Sequence, residues 1–229
     1  MIALIGMLAI LFVCIRKYMP SSQRMSSEEY FGQLGETEAA IVVEDHIAQE
    51  HAQIYDGNVY IDYTLVQNEL NSRFYWDASV GLLLFTTPTQ VFEIAPNTSA
   101  YAIDGESFDA GYDILHTTSA GMYLSMTFLQ QYSDLNCQVY ETPKRVVITY
   151  GSEEVTTARI KKDTVVRYQG GIKSPIVTDV TEDSEVTVLE QMDSWSKVLT
   201  ADGYIGYVKN KQLADVTQTT RETVYAGPE

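Results

Sequence analysis

Positive charge is scarce in this sequence: Lys and Arg total 15 against 31 Asp and Glu, a formal net charge of −16. Nucleic-acid binding wants a basic footprint, so that class is excluded, and an anionic membrane surface is a poor partner for the same reason. The acidity keeps the chain soluble and suits cationic partners. Cysteine is nearly absent, with two residues, Cys14 and Cys137. Cys14 lies inside an apolar run, so the two do not form a disulfide framework, and no C-x-x-C metal spacing exists. Cys137 reads as a small buried hydrophobe.

Histidine is almost as rare, with His46, His51 and His116. His46 and His51 are five apart, which separates them on a helix, and H-E-x-x-H is missing. The cluster Glu44, Asp45, His46, Glu50 and His51 reads as a solvated helix face rather than a metal site. His116 reads as structural. No G-x-S-x-G elbow, phosphate-binding G-x-x-x-x-G-K-[ST] or G-x-G-x-x-G is present. The sequence therefore predicts no catalytic residue, no metal and no cofactor. An enzyme in the central block would need convergent acids such as Asp77, Glu93 and Asp104, and no spacing demands that.

Short bursts of alternating apolar and polar residues fill 164–213: Val165 and Val166, Ile176 and Val177, Val186 and Val188, Trp195 and Val198, Ile205 and Tyr207. Turn formers separate them, including Gly170-Gly171, Ser174-Pro175, Asp193-Ser194 and Asp202-Gly203. Such runs are short half-buried strands of a small barrel. Asp202-Gly203 predicts a tight hairpin with both central residues at positive φ. Alternation sends Tyr204 and Gly206 to one face, and Ile205 and Tyr207 to the other. Tyr168, Trp195, Tyr204 and Tyr207 are the candidate ligand-binding residues, able to line a groove for peptide or sugar. The order VVRY, IVTDV, EVTVLE, W-S-K-V, D-G-Y-I-G-Y-V and Leu213 resembles a bacterial SH3 domain. That resemblance implies a non-catalytic module binding cell-wall peptide or glycan. The family's R-S-G-P loop reads R-Y-Q-G-G-I-K-S-P here.

The remainder is read around that barrel. Residues 1–15 are uncharged and apolar, followed by Arg16 and Lys17. At 1.5 Å per residue they span ~22 Å of a roughly 30 Å hydrocarbon core. With no basic segment before the run and no A-x-A site after it, 1–19 are expected to form a hydrophobic helix. Its expected role is a single-pass membrane anchor with the body extracellular, on the premise that a basic segment is missing upstream. Residues 20–38 read as a spacer with a helix near SSEEYFGQL, capped by Ser26 or Ser27.

The block 39–152 contains a repeat. GNVYIDYTLVQNELNSRFYWDASVGLLLFTT aligns with GMYLSMTFLQQYSDLNCQVYETPKRVVITY, Tyr60 on Tyr123 and Gln67 on Gln130. A one-residue insertion then puts Trp76-Asp77 on Tyr140-Glu141. Each copy reads as strand, helix and hairpin. The doubled pattern resembles the copper amine oxidase N-terminal-like domain, with no copper site implied. The barrel is assigned to 153–215, and 216–229 read as a linker to a further domain.

The expected fold class is mainly β with short helices: an α+β repeat unit, an SH3-like barrel and an N-terminal hydrophobic helix. The whole order, with FYWD, GIKSPI and WSKV…DGYIGYV, resembles the N-terminal region of surface-anchored family 18 glycoside hydrolases of Gram-positive anaerobes. The resemblance implies wall peptidoglycan or glycan and the membrane as partners, with catalysis in a domain beyond Glu229. The alternative is a stand-alone surface binding protein.

Overall fold

The computed structural model describes residues 16–223. They fall into two compact units, 31–153 with 220–223, and 16–30 with 154–219.

The first unit is built on β1 (Glu38–Val43), β2 (His46–Tyr55), β3 (Asn58–Asp62), β4 (Phe74–Asp77), β5 (Leu82–Thr86), β6 (Val91–Ile94), β7 (Ala100–Ile103), β8 (Glu106–Asp109), β9 (Leu115–Thr117), β10 (Met122–Ser125), β11 (Leu135–Glu141) and β12 (Lys144–Tyr150). Seven strands form one sheet in the order β11-β12-β1-β2-β3-β10-β9, and β4 to β8 form a five-stranded meander. β1 and β12 pair in parallel.

Towards one edge of this sheet β3 and β10 run antiparallel, with Ile61 opposite Leu124, Tyr60 opposite Ser125 and Asp62 opposite Tyr123. These residues are equivalent at a separation of 63, so the pairing is a local two-fold between repeat copies. The same separation relates Gln53–Tyr60 to His116–Tyr123 in the flanking strands. It also relates Asp62, which accepts from the Thr64 and Leu65 amides, to Ser125, which accepts from the Phe128 amide. Each side chain caps the helix that follows it: Tyr63–Leu65, running on into the π-helical turn Val66–Leu70, and Met126–Tyr132. Beyond the helices, Phe74 opposite Phe85 corresponds to Cys137 opposite Ile148. The separation thus stays constant through the hairpins, and the expected insertion before Trp76 is not needed. Equivalent core residues are buried alike: Ile61 and Leu124, Leu65 and Phe128, Leu83 and Val146, Phe85 and Ile148.

The copies diverge in what their hairpins join. β5 continues into β6 antiparallel, whereas β12 lies beside β1. An aromatic core fills the unit: Phe74 stacks on Phe85 at 4.4 Å, and Tyr132 meets Phe92 and Phe128 at 4.9 Å each. Stacked, tilted and edge-to-face ring pairs of this kind add to the burial of the rings themselves. Asp104 and Gly105 form the β7–β8 turn at φ 52° and 85°.

The expected α+β repeat with a hydrophobic N-terminal helix is corrected here. Of the described residues 51% lie in strands and 12% in helices, so the fold is mainly β, arranged in several sheets. The helices within the repeat are one or two turns long, each leading from a strand of the β3–β10 pair to the hairpin of its own copy. Among the described residues no helix is long and apolar enough to cross a membrane. The run 1–15 that was expected to supply one lies outside the described residues, and 15 residues fall short of a bilayer's hydrocarbon thickness. The acidic His46–His51 stretch is also a strand rather than a helix face, because it pairs with β1 and β3.

The second unit is a seven-stranded barrel: β13 (Glu154–Ile160), β14 (Thr164–Arg167), β15 (Ile176–Val180), β16 (Glu185–Gln191), β17 (Trp195–Thr200), β18 (Ile205–Lys209) and β19 (Leu213–Thr220), in the order β15-β14-β18-β17-β16-β13-β19. Its core is aliphatic, with Ile160, Val166, Val186, Val198 and Val208 almost fully enclosed. The β17–β18 connection is wider than the expected two-residue turn. Only Gly203 takes positive φ, 82°, and the Thr200 hydroxyl bonds to Asp202 and receives the Tyr204 amide. Gly206 is required by close approach: a Cβ there would lie 2.5 Å from the Arg167 carbonyl oxygen and 2.6 Å from Val166 Cγ1.

Gly206→Ala is expected to destabilise the barrel by about 2 kcal/mol through overpacking against backbone. Urea unfolding followed by Trp195 fluorescence in a Trp76→Phe background checks it. Asp62→Ala and Ser125→Ala are each expected to cost the repeat unit about 1 kcal/mol, read from urea midpoints by circular dichroism.

Candidate functional site

The barrel carries an open groove of about 580 Å³ lined by Ile172, Asp193, Ser194, Trp195, Lys209, Asn210 and Lys211. Three segments meet there: the long 168–175 loop, the 191–195 turn, and the short 3-10 helix Asn210–Gln212 that ends β18. Asn210 fastens the last two together. Its amide donates to the Ser194 carbonyl at 3.1 Å, its Nδ2 to the Met192 carbonyl at 2.6 Å, and its Oδ1 accepts from Ser196 Oγ at 2.8 Å. Trp195 opens β17 opposite Lys209, and Lys209 Nζ stands 5.6 Å from the indole centroid. A cation over an indole face is attracted by the ring quadrupole. The long loop packs on this ring at Gly170, where a Cβ would make ordinary van der Waals contact with Trp195 Cβ and Cγ at 3.5 Å. The rim sets two lysines against Asp193, an inversion of the chain's overall sign.

Of the four residues the sequence singles out, Trp195 lines this groove. Tyr168 and Tyr204 gather instead around Tyr30, at centroid distances of 6.5 and 5.5 Å. Tyr207 sits on β18 between Arg167 of β14 and Lys197 of β17. The polar lining, Asn210 and Lys211 above all, escapes a search for aromatics. The only signal for it is the N-K-Q run directly after the last barrel strand.

The repeat unit has a polar face on the side of the central sheet away from its core. His51 Nδ1 lies 3.3 Å from Glu38 Oε2, and Gln53 Oε1 accepts from Thr37 Oγ1 at 2.9 Å. His116 packs against Tyr55 at 4.8 Å and Tyr60 at 5.7 Å. Burial pushes the Tyr60 and Tyr123 phenols above their ordinary value, and nearby carboxylates add to this. The Gly35 amide, and then His51, hold Glu38 below the usual carboxylate range. These groups are engaged with one another rather than aimed at a shared point.

The remaining candidates for chemistry serve local structure. Asp77 binds the Ser79 amide and hydroxyl, and Asp104 receives the Val91 amide. His46 contacts Glu69 at 3.1 Å on an exposed edge. Among the described residues no group of three His, Cys, Asp or Glu side chains is arranged to hold a metal ion. Cys137 is half-buried beside the core, and burial pushes its thiol up to about 12.

Residues 162–214 match the bacterial SH3 domain family, a domain type that is commonly a cell-wall-binding module. No curated protein and no solved structure matches the chain.

Cys137 is expected to resist iodoacetamide at pH 8 in the folded protein, where its thiolate fraction is on the order of 1 in 10,000. Its peptide should become labelled in 6 M-range denaturant, about the concentration that unfolds small domains. Mass spectrometry of that peptide gives the answer.

Proposed function

We propose that this chain is a non-catalytic binding module that faces the cell wall from outside the cytoplasm and holds peptidoglycan or a related glycan in the Trp195 groove. The observation that carries this reading is the groove itself. An indole with a lysine over it, a second lysine and an asparagine-braced rim sit on the domain matched to bacterial SH3. An aromatic floor favours the apolar faces of sugars and peptide backbones. The two rim lysines favour the free carboxylates that wall peptides carry. The surrounding acidity makes the contrast steeper, because the chain's net charge of −16 repels the same carboxylates elsewhere.

The module's finer role is to position a glycan-hydrolysing domain on the wall. That rests on the resemblance of FYWD, GIKSPI and WSKV…DGYIGYV, in this order, to the N-terminal region of family 18 glycoside hydrolases.

Full-length protein is expected to sediment with purified peptidoglycan, and Trp195→Ala to weaken retention by about tenfold or more, the usual scale for losing one stacking aromatic. The same substitution should leave barrel unfolding cooperative. Failure of the wild-type protein to sediment above a charge-matched control overturns the reading.

A further inference from the structure

The groove's longest wall segment, the 168–175 loop, is gripped by a part of the chain that lies more than a hundred residues upstream. The Ser21 amide donates to the Ile172 carbonyl at 2.7 Å, and Ile172 lines the groove. Lys173 Nζ donates to the carbonyls of Arg16 and Met19 at 2.6 and 2.5 Å. Arg167, almost wholly buried, donates to the Ser174 carbonyl at 2.5 Å and to the Ser21 carbonyl at 3.0 Å, so one guanidinium clasps loop and upstream segment together. The segment then runs beside β15: Ile176 exchanges hydrogen bonds with the Gln23 carbonyl and the Met25 amide at 2.8 and 2.9 Å.

The far end is hooked by Tyr30. Its hydroxyl donates to the Ile205 carbonyl at 2.6 Å and accepts the Ile205 amide at 2.7 Å, while its ring lies against Tyr204 and Tyr168. A capping box fixes the helix that presents it, Ser26 Oγ receiving the Glu29 amide and Glu29 the Ser26 amide. Between Lys17 and Tyr30, Tyr30 alone is buried.

We infer that residues 16–30 are a strap that sets the shape of the ligand groove, holding Ile172 in its wall through the Ser21, Lys173 and Arg167 bonds. This rests on the groove being the binding site. It accounts for the loop's departure from R-S-G-P: the longer Q-G-G-I-K-S-P reaches the strap, adding the strap's bonds to the loop's own, the Gln169 amide on Ser174 Oγ and the Ser174 amide on the Gly171 carbonyl. A loop of that kind takes its shape from what it is bonded to, and ligand affinity then depends on whether the strap is docked.

Hydrogen exchange on the full chain tests this without reference to any ligand. Lys173→Ala removes the bonds to Arg16 and Met19 from an exposed position, and Tyr30→Ala removes the hook. Both are expected to speed exchange in 168–176 by about tenfold or more while β16, β17 and β18 keep their protection. Both should also weaken peptidoglycan sedimentation. If 168–176 exchanges at the wild-type rate in both variants, the strap does not set the loop and the inference falls. Should Tyr30→Ala unfold the barrel, Lys173→Ala decides alone. Wild-type protein that fails to bind peptidoglycan sinks the proposed function, and the exchange result still stands or falls by itself.

Discussion

Ile61 and Leu124 face each other across β3 and β10, and the repeat unit is arranged outward from that pair. Both are fully buried, and their strands are antiparallel, so each copy's next residues meet the other copy's preceding ones. A side-chain period of two then fixes everything nearby. A slip of one residue would turn Ile61 and Leu124 to the polar face and bring Tyr60 and Tyr123 into the core. It would also move the Asp62 and Ser125 caps off the helix starts that they satisfy. One register thus sets the core, the two helix entries and the polar face of Gln53, Tyr60 and His116 together.

The barrel depends on a different kind of constraint, the closeness of β14 to β18. Arg167 opposite Tyr207 is the pair that joins these strands, and Gly206 beside it gives up its side chain so that the Arg167 carbonyl can approach. That approach buries the guanidinium, and desolvation pushes its pKa down from the usual value. The charge is compensated by the carbonyls of Ser174 and Ser21. Backbone carbonyls are rigidly placed, so a buried guanidinium that needs them also dictates where their chains run. Gly206, Arg167, the long loop and the groove at Trp195 are in this sense successive links.

Much of this was legible in residue order. Alternation and turn formers mark the barrel strands because each strand buries one face only. Tyr60 to Gln67 and Tyr123 to Gln130 reveal the repeat because strand, cap and buried helix face recur. The hairpins misled because Trp76-Asp77 looks like Tyr140-Glu141. Backbone pairing instead matches Trp76, a ring partly buried against the core, with Val139, which is exposed, so the equivalence is hidden by divergence at this position. The stretch from Glu44 to His51 looked helical by charge, yet strand pairing to β1 outweighs such weak local preference. Tyr30 was invisible as part of the barrel, because its partners Tyr204 and Ile205 are bonded to it through tertiary contact alone. The same blindness made Tyr168 and Tyr204 look like a groove beside Trp195.

The strap also has a consequence for the order of events at the ribosome. Residues 16–30 emerge well before the groups that receive them, from Arg167 to Ile205. At about 5–20 residues per second, some 175 residues of delay correspond to roughly 10–35 s. For that interval Tyr30 has no dock, while the repeat unit between strap and barrel can already form its central pair. Through the delay the chain of the repeat unit keeps the strap covalently tied to the barrel strands still to come. The groove therefore completes only after the whole repeat unit has been made, and a docked strap reports that both ends of this span are present.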